Sequence, residues 1–166
     1  MVTNEDSDET LVGRYVRGDA AAFDLLYKRH ELRVWRYLER NIRNQATSDE
    51  LLQEVWCTLA RNATSLESAT RFRTRLFSLA YDRMTTALRA QPAPAGTQKA
   101  AGDSANPLAQ AIGQLPREQR EAYLLHVEGQ LSVGEIAEIT ENAIDTTQNA
   151  LRGARMTLRE LLNEPT

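Results

Sequence analysis

The chain has little of what metal and redox chemistry needs. Of 166 residues, one is cysteine and two are histidine. Cys57 has no partner for a disulfide, and His30 and His126 have no close Cys or His neighbour, so the ligands of a structural zinc site are missing. Each histidine reads as a helix-face residue. Cys57 follows Trp56 beside an apolar stripe and reads as a partly buried small hydrophobe. There is no Gly-rich phosphate loop, no nucleophile motif and no histidine-carboxylate set at helical spacing, which argues against an enzyme and leaves no cofactor to expect. No apolar run approaches the roughly 18 residues of a bilayer span, and the start lacks the charged-then-apolar pattern of a signal peptide. The expectation is a cytoplasmic chain without membrane insertion. Period-two alternation is absent over any useful length, so no strand is expected.

What is present is ordinary for a folded protein: 42% hydrophobic and 26% charged residues. The net charge of -3 is unevenly spread. Residues 1–10 carry Glu5, Asp6, Asp8 and Glu9 against no base, and read as an acidic flexible tail. Residues 11–90 are net +5 and residues 111–166 net -4, while residues 91–110 balance Lys99 against Asp103. Gln91 to Pro107 is rich in Pro, Gly, Ala and small polar residues without periodicity, which reads as a flexible linker. At about 5 to 6 Å times the square root of its length, it would hold two domains some tens of ångströms apart on average.

In the first domain, residues 11–90, Asp19 can cap a long amphipathic helix, or two in series, with Phe23, Leu26, Tyr27, Val34, Trp35, Leu38 and Ile42 on its apolar side. Thr47 and Glu50 have the spacing of a capping box, followed by a stripe of Leu51, Leu52, Val55, Trp56 and Leu59. Trp35 and Trp56 sit at core spacing and read as packing residues. A further helix, from about 69 to 90, would bury Phe72, Leu76, Leu79, Ala80, Met84 and Leu88 and expose Arg71, Arg73, Arg75, Arg83 and Arg89 around the single acid Asp82.

The second domain, residues 111–166, reads as a helix-turn-helix. Pro116 suits the first position of a helix, Gly129 the position just past its end, and Ser132 with Glu135 a capping box for the next helix. After a polar break at residues 140–143, a third helix would bury Ile144, Leu151, Ala154, Leu158 and Leu161 and face a DNA groove. DNA is therefore the default partner.

Taken together these segments resemble the extracytoplasmic-function sigma factors, two-domain initiation subunits of bacterial RNA polymerase. The resemblance covers nearly the whole chain. Phe23-x-x-Leu26-Tyr27-x-x-His30, Ser48-Asp49-Glu50-Leu51-Leu52-Gln53-Glu54-Val55-Trp56 and Phe72-Arg73-x-x-Leu76-Phe77-x-Leu79-Ala80 resemble region two of that family. Glu128-Gly129-x-Leu131-Ser132-x-x-Glu135-Ile136-Ala137 and Ala154-Arg155-x-x-Leu158-Arg159-Glu160-Leu161 resemble region four. The resemblance implies an all-α protein of two small helical domains joined by the linker. It also implies that core RNA polymerase, promoter DNA and an anti-sigma factor are the partners.

The resemblance assigns roles residue by residue. Asp49, Glu50, Gln53 and Glu54 would dock on a basic coiled coil of the polymerase's largest subunit, where opposite charges speed oriented association. A merely solvated helix face has the same composition, and periodicity alone does not separate the two. Arg71, Arg73, Arg75, Asp82, Arg83, Thr86 and Arg89 would grip and read the -10 element, with the loop at about 62–70 receiving a flipped base. Thr146, Thr147, Gln148, Asn149, Arg152 and Arg155 would contact the -35 element: Gln and Asn can pair with adenine, and Arg with guanine or phosphate.

Departures from the family pattern bear on DNA preference. Arg75, Asp82, Thr86 and Ala90 stand where the family usually has Trp, Asn, Asp and Arg. Asp82 repels phosphate but could accept from a cytosine amino group. In the recognition helix three customary cations are missing, around Gln148, Ala150 and Gly153. Each lost phosphate contact lowers the salt slope by about one. A sigma-like regulator that binds polymerase or an anti-sigma factor without reading promoters, and a dimeric helix-turn-helix repressor that needs no polymerase, remain alternative readings.

Overall fold

The computed structural model of the chain describes residues 5–62, 71–90 and 106–163. These residues form eight α-helices and no strand, the all-α architecture expected. The expected base-receiving loop, save Asn62 at its start, and residues 91–105 of the linker lie outside them.

Helix α1 spans Asp8–Val16 and is capped by Ser7, whose Oγ accepts from the Thr10 N–H at 3.1 Å. It starts inside the stretch read above as a flexible tail. Asp8 is drawn in by partners on the next helix: its carboxylate lies 3.0 Å from His30 Nε2 and accepts from Arg29 at 3.1 Å. His30 is accordingly buried at 7% exposure, not a surface residue. Helix α2, Ala20–Ile42, is one continuous helix, capped by Asp19 through the Ala21 N–H at 3.1 Å.

Helix α2 ends where Arg43 enters the left-handed region at φ 60°, its N–H on the Glu39 carbonyl at 2.7 Å. Asn44 then caps α3, Gln45–Arg61, accepting from the Thr47 N–H at 3.1 Å. The capping box expected at Thr47 and Glu50 does not form, because the chain has already turned and been capped three residues earlier. Helix α4 is Phe72–Ala90. Leu26, Val34, Tyr37, Leu38, Val55, Leu59, Leu76, Phe77 and Met84 are all but removed from solvent, and Trp56 packs between Phe23, Tyr27 and Phe72. Fully burying each such aliphatic side chain contributes about 1.5 to 3 kcal/mol, which is why these four helices close on one another.

The second domain opens with α5, Pro107–Gly113, whose N-cap Asn106 accepts from Leu108 N–H at 3.0 Å, so the linker ends before residue 110. Helix α6 is Arg117–Val127, with Pro116 one residue earlier than expected, at the N-cap. Helix α7 is Val133–Thr140, capped by Ser132 Oγ on the Glu135 N–H at 3.2 Å. Helix α8 is Ile144–Asn163 and buries Thr147, Leu151, Ala154 and Leu158, while Ile144 stays outside at 56% exposure.

The two domains touch rather than standing apart as the linker's mean reach suggests. Arg40 of α2 pairs with the buried Glu128 at the end of α6, at 3.0 Å, with Arg36 at 3.9 Å from the same carboxylate. Gly113 of α5 lies so close to Arg43 that a Cβ there would come within 2.7 Å of its guanidinium.

Candidate protein and nucleic-acid interfaces

The outer face of α3 is acidic because its inner face is apolar: burying Leu51, Val55 and Leu59 turns Asp49, Glu50, Gln53 and Glu54 to solvent. Asp49 is held in place by Trp35, whose indole N–H donates to its carboxylate at 2.8 Å. Beside this face runs a cleft of about 630 Å³ between α2 and α3. Phe23, Tyr27, Leu52 and Trp56 line it together with Asp24 and Asp49. Cys57 lines it too and is exposed, not partly buried as expected from its neighbours. An apolar strip edged by acids fits a helix with apolar and basic side chains.

Helix α4 sorts its polar residues onto different sides. Arg71, Arg75, Asp82, Thr86 and Arg89 line one cleft of about 840 Å³, since their spacing keeps them on one helical face. Arg83 leaves this set: it is half-buried and donates to Thr58 Oγ1 of α3 at 3.5 Å, so it braces the domain instead. Arg73 is also outside the cleft and donates to Gln130. The far wall of the cleft is α7, with Glu138 and Glu141. Arg71 pairs with Glu135 at 3.0 Å, and the Thr74 hydroxyl donates to the other oxygen of that carboxylate at 3.2 Å. The capping box at Ser132 is therefore half-formed, because the Glu135 side chain reaches α4 rather than its own helix start.

On α8, Thr146, Gln148, Asn149, Arg152 and Arg155 are exposed, as a groove-facing role requires. Thr147 is not available for that role: it is 2% exposed and its hydroxyl donates to the Ala143 carbonyl at 3.1 Å. Gln148, Arg152 and Arg155 share a shallow groove with Arg159, a cation outside the residues the family resemblance assigns to the -35 element, although its spacing of four from Arg155 places it in line. His126 accepts from Arg155 at 3.3 Å and sits 3.0 Å from the Leu131 carbonyl, which ties α6, the turn and α8 together. Asp145 and Glu141 lie exposed by the start of α8. Among the described residues no helix is long and apolar enough to cross a membrane.

The sequence and the fold have counterparts among known proteins. The sigma-70 region 4 family model matches residues 105–158. RNA polymerase sigma factor CarQ of Myxococcus xanthus is 33% identical over 91% of this chain and 95% of its own length. ECF RNA polymerase sigma factor SigM of Mycobacterium tuberculosis is 26% identical over 96% of this chain and 86% of its own. Among solved structures, CnrH in complex with the cytosolic domain of CnrY superposes with a TM-score of 0.76 at 20% identity, covering 97% of this chain and 100% of CnrH. The sigma factor RpoE of Bartonella quintana, in complex with the anti-sigma factor NepR, gives 0.70 at 18% identity, covering 87% and 98%. The chain belongs to the extracytoplasmic-function sigma factors of the sigma-70 family.

Proposed function

We propose that this chain binds core RNA polymerase through the acidic face of α3, grips the -10 element with the basic face of α4 and anchors the -35 element with α8. Its role is regulatory, not catalytic, and is exercised in the cytoplasm where polymerase and promoters are. The observation that carries this reading is the separation of an acid-and-amide face on α3 from a basic face on α4, in one domain, beside a helix-turn-helix. A DNA-only repressor has no use for Asp49, Glu50, Gln53 and Glu54 presented next to an apolar cleft.

Within this reading Arg71, Arg75 and Arg89 hold strand phosphates, the planar guanidinium giving two bonds at once. Asp82 and Thr86 stand between them, placed to meet a base. Arg152, Arg155 and Arg159 supply backbone contacts on the -35 side, with Gln148 and Asn149 reading bases. The cleft between α2 and α3 is the proposed seat of an anti-sigma factor, in keeping with a shared fold with RpoE, which was solved with NepR.

The test is co-elution with core polymerase. Wild type is expected to form a stoichiometric complex, and Glu54→Arg to weaken it at least tenfold, with α-helical content unchanged. Equal binding by Glu54→Arg contradicts the docking assignment.

A further inference from the structure

His126 stands in the last turn of α6, and the chain curls back over it. Gln130, at φ 54°, turns the backbone so that the Leu131 carbonyl lies 3.0 Å from His126 Nδ1. A carbonyl oxygen can only accept, so the proton of the neutral imidazole sits on Nδ1 and Nε2 keeps its lone pair. That lone pair takes an N–H of Arg155 from α8 at 3.3 Å. The turn of the helix-turn-helix therefore fixes the acceptor that one cation of α8 meets. Arg155 is exposed in the groove it shares with Gln148, Arg152 and Arg159, and no acid lines that groove among the described residues. Three guanidinium groups there repel one another, and an arginine held only by water samples many rotamers.

We propose that His126 is a positioning residue for DNA contact, which holds the Arg155 guanidinium toward a backbone phosphate and leaves its charge intact. A carboxylate in the same place would also hold Arg155, but it would cancel the charge that attracts phosphate. A neutral imidazole uses one N–H and leaves the other donors and the full positive charge to the phosphate oxygens. The side chain is then ordered when the domain folds, so the cost of immobilising it is not subtracted from affinity for DNA. His126 itself need not touch DNA. The inference rests on the proposed contact of α8 with the -35 element.

The experiment measures binding of the full chain to a fluorescent random-sequence duplex across a salt series, since phosphate contacts do not depend on sequence. Arg155→Ala is expected to weaken binding and to lower the salt slope by about one. His126→Asn keeps an N–H at the place of Nδ1 but cannot reach Arg155, and is expected to weaken binding about threefold. His126→Gln, whose side-chain oxygen reaches as far as Nε2, is expected to restore it. With Arg155→Ala already present, His126→Asn is expected to change nothing further. A merely structural histidine weakens binding equally in both backgrounds, and that result overturns the inference. Wild-type binding by His126→Asn overturns it too, as does His126→Gln binding no better than His126→Asn. Tighter binding by His126→Asn overturns it by showing that His126 holds Arg155 off the DNA. Arg155→Ala with unchanged affinity and slope overturns the reading of α8 at Arg155, and the inference with it.

Discussion

Gly129 matters for space rather than for its own torsion. The residue with positive φ in that turn is Gln130, at 54°, whereas a Cβ on Gly129 would sit 2.6 Å from the Leu125 carbonyl oxygen and 3.1 Å from Leu131 Cγ. The carbonyl is helix backbone and cannot step aside cheaply. Gly129→Ala is expected to destabilise the second domain by about 1 to 3 kcal/mol, read as a lower urea midpoint. Asp8 is a second point of leverage. Burial pushes its carboxyl up, but the hydrogen bonds and charges of His30 and Arg29 outweigh this and hold it below the usual carboxylate value. A depressed carboxylate adds stability above its unfolded value and loses it as pH falls through the folded one. Wild type should therefore lose more stability than Asp8→Asn between about pH 5 and pH 2, and the two curves should converge at the acid end. Parallel curves would show that Asp8 contributes nothing to docking α1.

Helices with a regular apolar stripe were legible from spacing alone, as with Leu51, Val55 and Leu59 of α3 or Leu151, Ala154 and Leu158 of α8. What spacing could not reveal was set by contacts distant in sequence. α1 is anchored by Asp8 to residues more than twenty positions on, and Arg43 ends α2 without the glycine that usually marks such an end. Thr147 falls on the buried side of α8 because that helix rotates to bury Leu151 and Ala154, leaving Ile144 outside. Arg83 looks like its neighbours in sequence and differs only by packing against Thr58. On α8, Arg152→Ala, Arg155→Ala and Arg159→Ala are each expected to weaken -35 binding across sequences and to lower the slope of log affinity against log salt by about one. Gln148→Ala should instead relax base preference with the slope unchanged. A slope that does not move would place these arginines away from the phosphates.

The two domains share a continuous apolar core and are tied by Arg40 to Glu128 and Arg71 to Glu135, so segregated charge in the sequence becomes attraction between halves in the fold. The acidic second domain, an odd match for DNA when considered alone, is matched to the basic first domain. Under the proposed function polymerase has two tasks, to bind α3 and to supply the surroundings in which α4 and α8 engage separate elements at the effective concentration their connection sets. The measurement that bears most directly on this account is run-off transcription by core polymerase with the purified chain, on the DNA upstream of its own gene and a pool of genomic fragments. The prediction is a discrete transcript with wild type that disappears with Glu54→Arg, through lost docking, and with Arg89→Glu, through lost strand binding. Stable polymerase binding with no transcript from any fragment would contradict it and leave a sigma-like regulator that does not read promoters.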